Sequence, residues 1–307
     1  MAGPHHGHGA HAAGQGRLLA AIALGGLVSA AEAAGGILSG SLALLADAGH
    51  VLTDIVGLTA AYLAGHWAHR PPRGRFTYGL LRLEPLAALA NGLLLGCVAA
   101  SVLVVAALRV GQAPAIEHRV VLSAACFGLA ANTAGAVLLG GHARGNLNLR
   151  GAFLHLLADA LGALGVIVAA VVMGITGWTG ADQIASLVVA LVVGIAAVRL
   201  IAQSVGVLMQ AAPTSAVLAE VADLLADADG VAVAGLRVWT LGGADLVVTA
   251  RLLVAAEPAA ALAAAHQRLQ ARWPGAQVTL EPGPQPPCPA SPRLSGPAPR
   301  PLPGSLG

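Results

Sequence analysis

The sequence predicts a membrane protein, an all-α bundle of six transmembrane helices followed by a small α+β domain. Three observations carry that expectation. Of 307 residues, 57% are hydrophobic and only 10% charged, with a mean hydropathy of +0.78, which is too apolar for one soluble core. Before residue 210 the chain holds six apolar runs, each near the roughly 20 residues needed to cross about 30 Å of hydrocarbon. After Pro213 the apolar spacing changes to an alternation of helical and strand-like patterns.

The six runs extend from Leu18 to Leu38, Leu42 to His66, Leu83 to Leu108, Val120 to Gly140, Gly151 to Ile175 and Ile184 to Leu208. A signal-peptide reading of the first fits poorly, because the leader before Arg17 is long and Glu32 interrupts the apolar region. Arginine supplies every basic residue of the chain, and its placement orients the bundle. Arg17 precedes the first run, Arg70, Arg73, Arg75 and Arg82 flank the link between the second and third, and Arg144 and Arg150 lie between the fourth and fifth. By the positive-inside rule these sides are cytoplasmic, so both termini are expected inside a cell membrane. The opposite links are Ser39–Ser41, a short one bearing only Arg109 and Arg119, and an arginine-free one at 176–182.

A formal net charge of +2 suggests no nucleic-acid surface. The three cysteines make no disulfide framework; Cys97 and Cys126 lie in apolar runs, where packing is the expected role, and Cys288 lies in a proline-rich tail. No HExxH, GxxxxGK[ST] or nucleophile elbow is present, so an enzyme reading has no catalytic constellation.

The informative spacing lies inside the second run. In "ADAGHVLTDIVG" His50 and Asp54 are four apart and so stack on one helix face, with Asp47 one turn earlier on the same side. The pair recurs in the fifth run, where "FLHLLADALG" carries His155 and Asp159. The second run enters from outside and the fifth from inside. At 1.5 Å per residue, Asp54 lies roughly 18 Å below the outer end of its run and Asp159 about 12 Å above the inner end of its own, depths that coincide in a 30 Å slab. Two imidazoles and two carboxylates at one depth make a nitrogen and oxygen set suited to tetrahedral zinc. One HxxxD pair alone reads better as hydrogen-bonded glue between helices; two copies at matching depth favour ligands.

Three stretches, "SGSLALLADAGHVLTD", "FTYGLLRLEPLAALANGLLLG" and "NLNLRGAFLHLLADALGALGVI", together resemble the cation diffusion facilitator family in its zinc-transporter subtype, over about residues 17 to 282. The resemblance implies a homodimer of six-helix protomers, each with a cytoplasmic ferredoxin-like domain, exporting zinc in exchange for protons. It places His50, Asp54, His155 and Asp159 on the family's intramembrane metal positions. Some relatives with other metal preferences carry a carboxylate for the first histidine; both histidines here favour zinc, with cadmium as a companion. Zinc is then a transported substrate and no cofactor is expected. Imidazole nitrogen takes a proton or a metal but not both, so zinc and protons would compete at the set. The alternative from another class is a zinc-binding sensor or structural membrane protein that moves nothing.

Other polar groups within the runs have plainer readings. Asp47 could relay metal or protons, or simply hydrate and cap near the outer end. Glu32, Asn91 and Asn132 read as helix-to-helix hydrogen bonders, and Asp182 as a helix N-terminal charge. The glycine-rich leader, residues 1–16, brings His5, His6, His8 and His11 with no spacing that closes a site, and reads as a flexible tail of weak metal affinity.

The division expected is a tail at 1–16, a transport domain at 17–210, a dimerisation domain at 211–282 and a disordered proline-rich tail at 283–307. Within the third, helix from Ala216 to Asp227, strands at 231–241 and 245–254, helix from Ala259 to Trp273 and a strand at 277–281 give the order α-β-β-α-β. Where many relatives carry histidines before the tryptophan and in the next strand, this chain has Arg237, two before Trp239, and Arg251. A guanidinium stays protonated and repels cations, which argues against a cytoplasmic zinc cluster. His266 reads as a helix-surface residue.

Overall fold

The computed structural model describes residues 8–68, 70–112, 114–140, 147–226, 231–242, 246–254 and 258–283, with side chains from 23 onward except at 139–152. The elements follow in the order α1 (His8–Ser39), α2 (Leu42–Ala68), α3 (Leu83–Leu108), α4 (His118–Gly140), α5 (Leu147–Thr176), α6 (Gly180–Leu208), α7 (Ser215–Ala226), β1 (Val231–Thr240), β2 (Leu246–Val254), α8 (Pro258–Arg272) and β3 (Gln277–Pro282). The chain is mostly helical, with its small sheet near the C-terminus.

Among the described residues five helices are long and apolar enough to cross a membrane, and α1 adds a shorter apolar stretch, Ala23–Ser39. The segment expected to begin at Leu18 belongs to a helix that begins at His8. The stretch "HGAHAAGQG" mixes three alanines with three glycines, so intrinsic helix propensity does not account for the upstream continuation. Helix α5 likewise begins at Leu147 rather than Gly151, and α6 at Gly180 rather than Ile184. Hydropathy marks where lipid ends, while hydrogen bonding marks where the helix ends.

The contacts group the chain into two compact units. One comprises residues up to Ala61 together with Ala90–Ile201; the other comprises Tyr62–Leu89 together with the chain from Ala202 on. In the first, Ala43 and Leu44 of α2 pack with Val121 and Ala125 of α4 and with Val166, Ala169, Ala170 and Met173 of α5. Leu42 and Ala46 of α2 pack on Val102 and Ala106 of α3 and Ala190 of α6. Most of these residues are small, which lets helix backbones approach closely where no hydrophobic effect drives helices together in lipid. The opposite faces of α3 and α6 expose Leu93, Leu94, Val104, Leu191, Val192 and Val198, as a lipid-facing surface requires. Cys97 and Cys126 are also exposed, so the packing role expected of them does not hold; each falls on its helix's outward stripe.

The turn between α1 and α2 is closed by Gly40, whose φ of +73° is left-handed backbone that a Cβ would strain. Ser41 then caps α2, its Oγ accepting a bond from the Leu44 amide at 3.2 Å. Asp182, read from sequence as a charge for its own helix α6, does more. It is buried at 2% exposure, and its carboxylate accepts from the Ser41 hydroxyl at 2.5 Å and from the Leu42 amide at 2.9 Å. One carboxylate thus serves the positive ends of two helices. Gln183 adds a bond to the Ala106 carbonyl of α3 at 2.6 Å, and Arg109 a bond to the Gly40 carbonyl at 2.9 Å.

In the second unit β1 and β2 run antiparallel, with Val238 opposite Val248, and β2 and β3 run parallel, with Val248 opposite Val278. Helix α8 makes the crossover that a parallel pair needs. A core of Val221, Leu225, Leu236, Val248, Leu252 and Leu269 lies between the sheet and α7 and α8.

Replacing Asp182 by alanine removes two bonds to a buried carboxylate and uncaps α2, and is expected to destabilise the protein by about 2 kcal/mol. Glu281→Gln, which breaks only the exposed pair with Arg251, should cost under about 1 kcal/mol. Denaturant titration of both variants in detergent checks the contrast, and equal midpoints would contradict it.

Candidate metal centre

Helix α2 carries His50 and Asp54 one turn apart because alanine, glycine and leucine around them allow an unbroken helix, and α5 carries His155 and Asp159 for the same reason. The structure brings all four side chains together. His50 Nε2 lies 3.5 Å from Asp54 Oδ2 and 3.9 Å from Asp159 Oδ1, while His155 Nε2 lies 3.3 Å from Asp54 Oδ2 and 3.5 Å from Asp159 Oδ2. The two rings meet edge to face, with centroids 6.2 Å apart. Each imidazole therefore faces one carboxylate on its own helix and one on the other.

Those separations have a geometric meaning. Four ligands at the 2.0–2.2 Å typical of zinc stand about 3.4 Å from one another along the edges of a tetrahedron. The four His-to-Asp separations bracket that edge. Among the described residues no group of three or more His, Cys, Asp or Glu side chains is placed to hold a metal ion as it stands, so these four side chains would have to draw together around one. Two further atoms point the same way: Asp54 Oδ2 and His50 Nδ1 are buried and have no hydrogen-bond partner. Buried polar atoms left unpaired in a protein interior are costly unless something binds them. Access is uneven, since Asp159 is 8% exposed and His155 41%.

The remaining ionisable and amide groups fall around this set. Asp47 is buried, and a Cβ added to Gly162 of α5 would lie 3.8 Å from its Oδ1. It thus faces α5 one turn beyond Asp159. Glu32 on α1 and Asn91 on α3 read from the sequence as bonding across helices, yet among the described residues Glu32 Oε2 and Asn91 Oδ1 have no hydrogen-bond partner. Both sit against glycines, Glu32 at Gly128 and Asn91 at Gly57. Glycine admits the side chain but offers no donor beyond a backbone already used in its helix. Asn132 is buried on α4. The leader's His5 and His6 lie outside the described residues, as do the side chains of His8 and His11.

Comparison with known proteins agrees with the site's setting. Residues 18–209 match the family described as the cation efflux transmembrane domain. The chain belongs to the cation efflux family, also called the cation diffusion facilitators. It is 43% identical over 205 residues to the zinc transporter ZitB of Escherichia coli (strain K12), covering 66% of each chain. It is 36% identical over 249 residues to the metal cation efflux system protein CzcD of Cupriavidus metallidurans, covering 80% of this chain and 79% of that one. It is 35% identical over 213 residues to the cadmium, cobalt and zinc/H(+)-K(+) antiporter of Bacillus velezensis, covering 68% of each. The ZitB match thus spans slightly less than two thirds of that relative's length. Membership of this family, with the apolar helices, makes the chain a multi-pass membrane protein of a transporter family.

In this member of the cation efflux family the sheet carries arginine at the two positions where the resemblance implies histidine. Arg237 lies in β1 opposite Thr249, and Arg251 lies in β2 opposite Gly235. Arg251 also reaches β3, its Nη2 3.3 Å from Glu281 Oε2. His266 is exposed on α8. Because the domain's buried core is made wholly of residues between 221 and 276, a fragment spanning 213–282 should fold without metal. Its melting temperature should be the same in chelator and in excess zinc, since a ligand stabilises only what binds it. A zinc-dependent rise of order 10 °C would correspond to more than about 1 kcal/mol and reveal a site the sheet does not advertise.

Proposed function

We propose that the protein exports zinc from the cytoplasm in exchange for protons, through a site made of His50, Asp54, His155 and Asp159. The observation that carries this reading is the convergence of two imidazole nitrogens and two carboxylates at His-to-Asp separations of 3.3–3.9 Å on helices of the transmembrane domain. Each ligand has a role in the exchange. The carboxylates supply charge to offset the dication, which a hydrocarbon slab would otherwise exclude. The imidazoles supply borderline-soft nitrogen that favours zinc over magnesium or calcium, and an imidazole nitrogen can hold a metal or a proton but not both, which makes the two exchangeable. Alternating exposure of the set to the two sides would let cytoplasmic zinc displace protons and external protons displace zinc.

The same reading extends to the assembly: a six-helix transport domain at 17–210 with both termini cytoplasmic, and a ferredoxin-like dimerisation domain at 211–282. Arginine distribution across the links supports the orientation, and the α-β-β-α-β order of the second unit supports the domain type. The names of relatives that mention zinc, cadmium, cobalt and protons support the substrate class. The contrasting reading, a membrane protein that binds zinc without moving it, shares the site but not the flux.

Asp54→Ala and Asp159→Ala are each expected to abolish zinc flux into vesicles under an imposed pH gradient while the protein stays folded, since each removes one of four ligands. Wild-type flux in either variant would contradict the assignment, and binding without flux in the unaltered protein would favour the sensor. His50→Asp should shift relative uptake from zinc toward manganese, because carboxylate suits a harder cation; an unchanged zinc-to-manganese ratio would count against His50 as a ligand.

A further inference from the structure

Glu32 is a deeply buried ionisable group that the metal set does not use. It lies on α1 and is 1% exposed, with Oε2 lacking any hydrogen-bond partner. Its other oxygen, Oε1, faces α4 at Gly128, where an added Cβ would come within 2.5 Å of it. The absent side chain is what gives the carboxylate its room. The carboxylates of Asp47 on α2 and Asp159 on α5 lie within range of its charge. Helix α4 brings no acid or base to this level: apart from the exposed Cys126 thiol its ionisable residues are His118 and Arg119, which stand about 14 Å or more from Gly128 at 1.5 Å per residue. No ion pair among the described residues includes Glu32.

A buried carboxylate with acidic neighbours and no cation is tolerated only when a proton or a bound cation neutralises it. Its position decides what that neutralisation can do. Counting back along α1 from Ser39, Glu32 lies about 10 Å from the link at Gly40, and counting forward along α2 from Leu42, Asp47 lies about 8 Å and His50 about 12 Å from it. Glu32 and Asp47 therefore stand between the α1–α2 link and the metal set.

We propose that Glu32 is a proton-carrying carboxylate of the exchange, distinct from the metal ligands. The proposal rests on the zinc-for-proton reading of the His50, Asp54, His155 and Asp159 set. When the dication enters that set, its positive charge favours ionised Glu32, whose O–H bond breaks with the electron pair staying on oxygen and the proton leaving. When zinc departs, the negative charges of Asp47 and Asp159 restore the protonated form. No hydrogen bond or ion pair ties Glu32 to the four ligands, so its effect on them is through charge.

The test uses the full chain with Glu32→Gln, which keeps size and polarity but cannot ionise, and Glu32→Asp, which can. Zinc binding is measured by titration in detergent, proton release with an indicator dye in weak buffer, and flux in vesicles under a pH gradient. Glu32→Gln is expected to bind zinc within about threefold of the unaltered protein, to release about one proton fewer per zinc, and to lose at least about tenfold in gradient-driven flux. Glu32→Asp should recover the proton count. An unchanged proton count and flux in Glu32→Gln would overturn the proposal. So would loss of zinc binding in that variant, because Glu32 would then belong to the metal site or its scaffold. If the unaltered protein itself shows no zinc-dependent flux, the exchange reading fails before Glu32 is in question.

Discussion

A charged side chain in hydrocarbon costs several kcal/mol unless something neutralises it, and in this chain that constraint organises the transmembrane unit. Helices α2 and α5 each carry a histidine and an aspartate inside their apolar spans, and in the structure each imidazole meets two carboxylates. The pairing is incomplete, with Asp54 Oδ2 and His50 Nδ1 left without hydrogen bonds. An incompletely satisfied polar cluster is a poor structural staple. It is well suited to a site that must accept and release a cation.

The surrounding scaffold holds the two helices at the right depth. Asp182 bonds the first turn of α2 from the start of α6, fixing the end from which His50 and Asp54 are counted. Ser29 of α1 bonds the Ala48 carbonyl at 2.9 Å between Asp47 and His50, so α1 is tied to α2 beside the site. Glycines at 57, 128 and 162 then admit Asn91, Glu32 and Asp47 against neighbouring helices. A side chain added at Gly57 or Gly128 would push Asn91 or Glu32 out of place, whereas at Gly162 it would only touch Asp47, so the first two glycines are positioning elements rather than flexible points.

Much of this was legible in the sequence because the relevant signals are periodic or stoichiometric. Two HxxxD pairs at matching depth predict a shared site through helix geometry alone, and the change of apolar spacing after Pro213 predicts the α-β-β-α-β order that the second unit has. What was not legible depended on three-dimensional company. Asp182 looks like a helix-start charge until Ser41, distant in sequence, is brought beneath it. Glu32 and Asn91 look like hydrogen-bond donors and acceptors until glycine proves to be the neighbour. The early start of α1 escaped for a different reason, since hydropathy does not mark a helix that continues outside the hydrocarbon.

The central claim is that zinc is held by two imidazoles and two carboxylates within the bilayer. X-ray absorption at the zinc edge addresses it directly, on full-length protein carrying one zinc per protomer with His5, His6, His8 and His11 replaced by alanine. The account predicts a first shell of four nitrogen and oxygen atoms at about 2.0–2.1 Å, with outer-shell scattering from two imidazole rings. A shell containing sulfur, or one of oxygen alone without imidazole scattering, would contradict it.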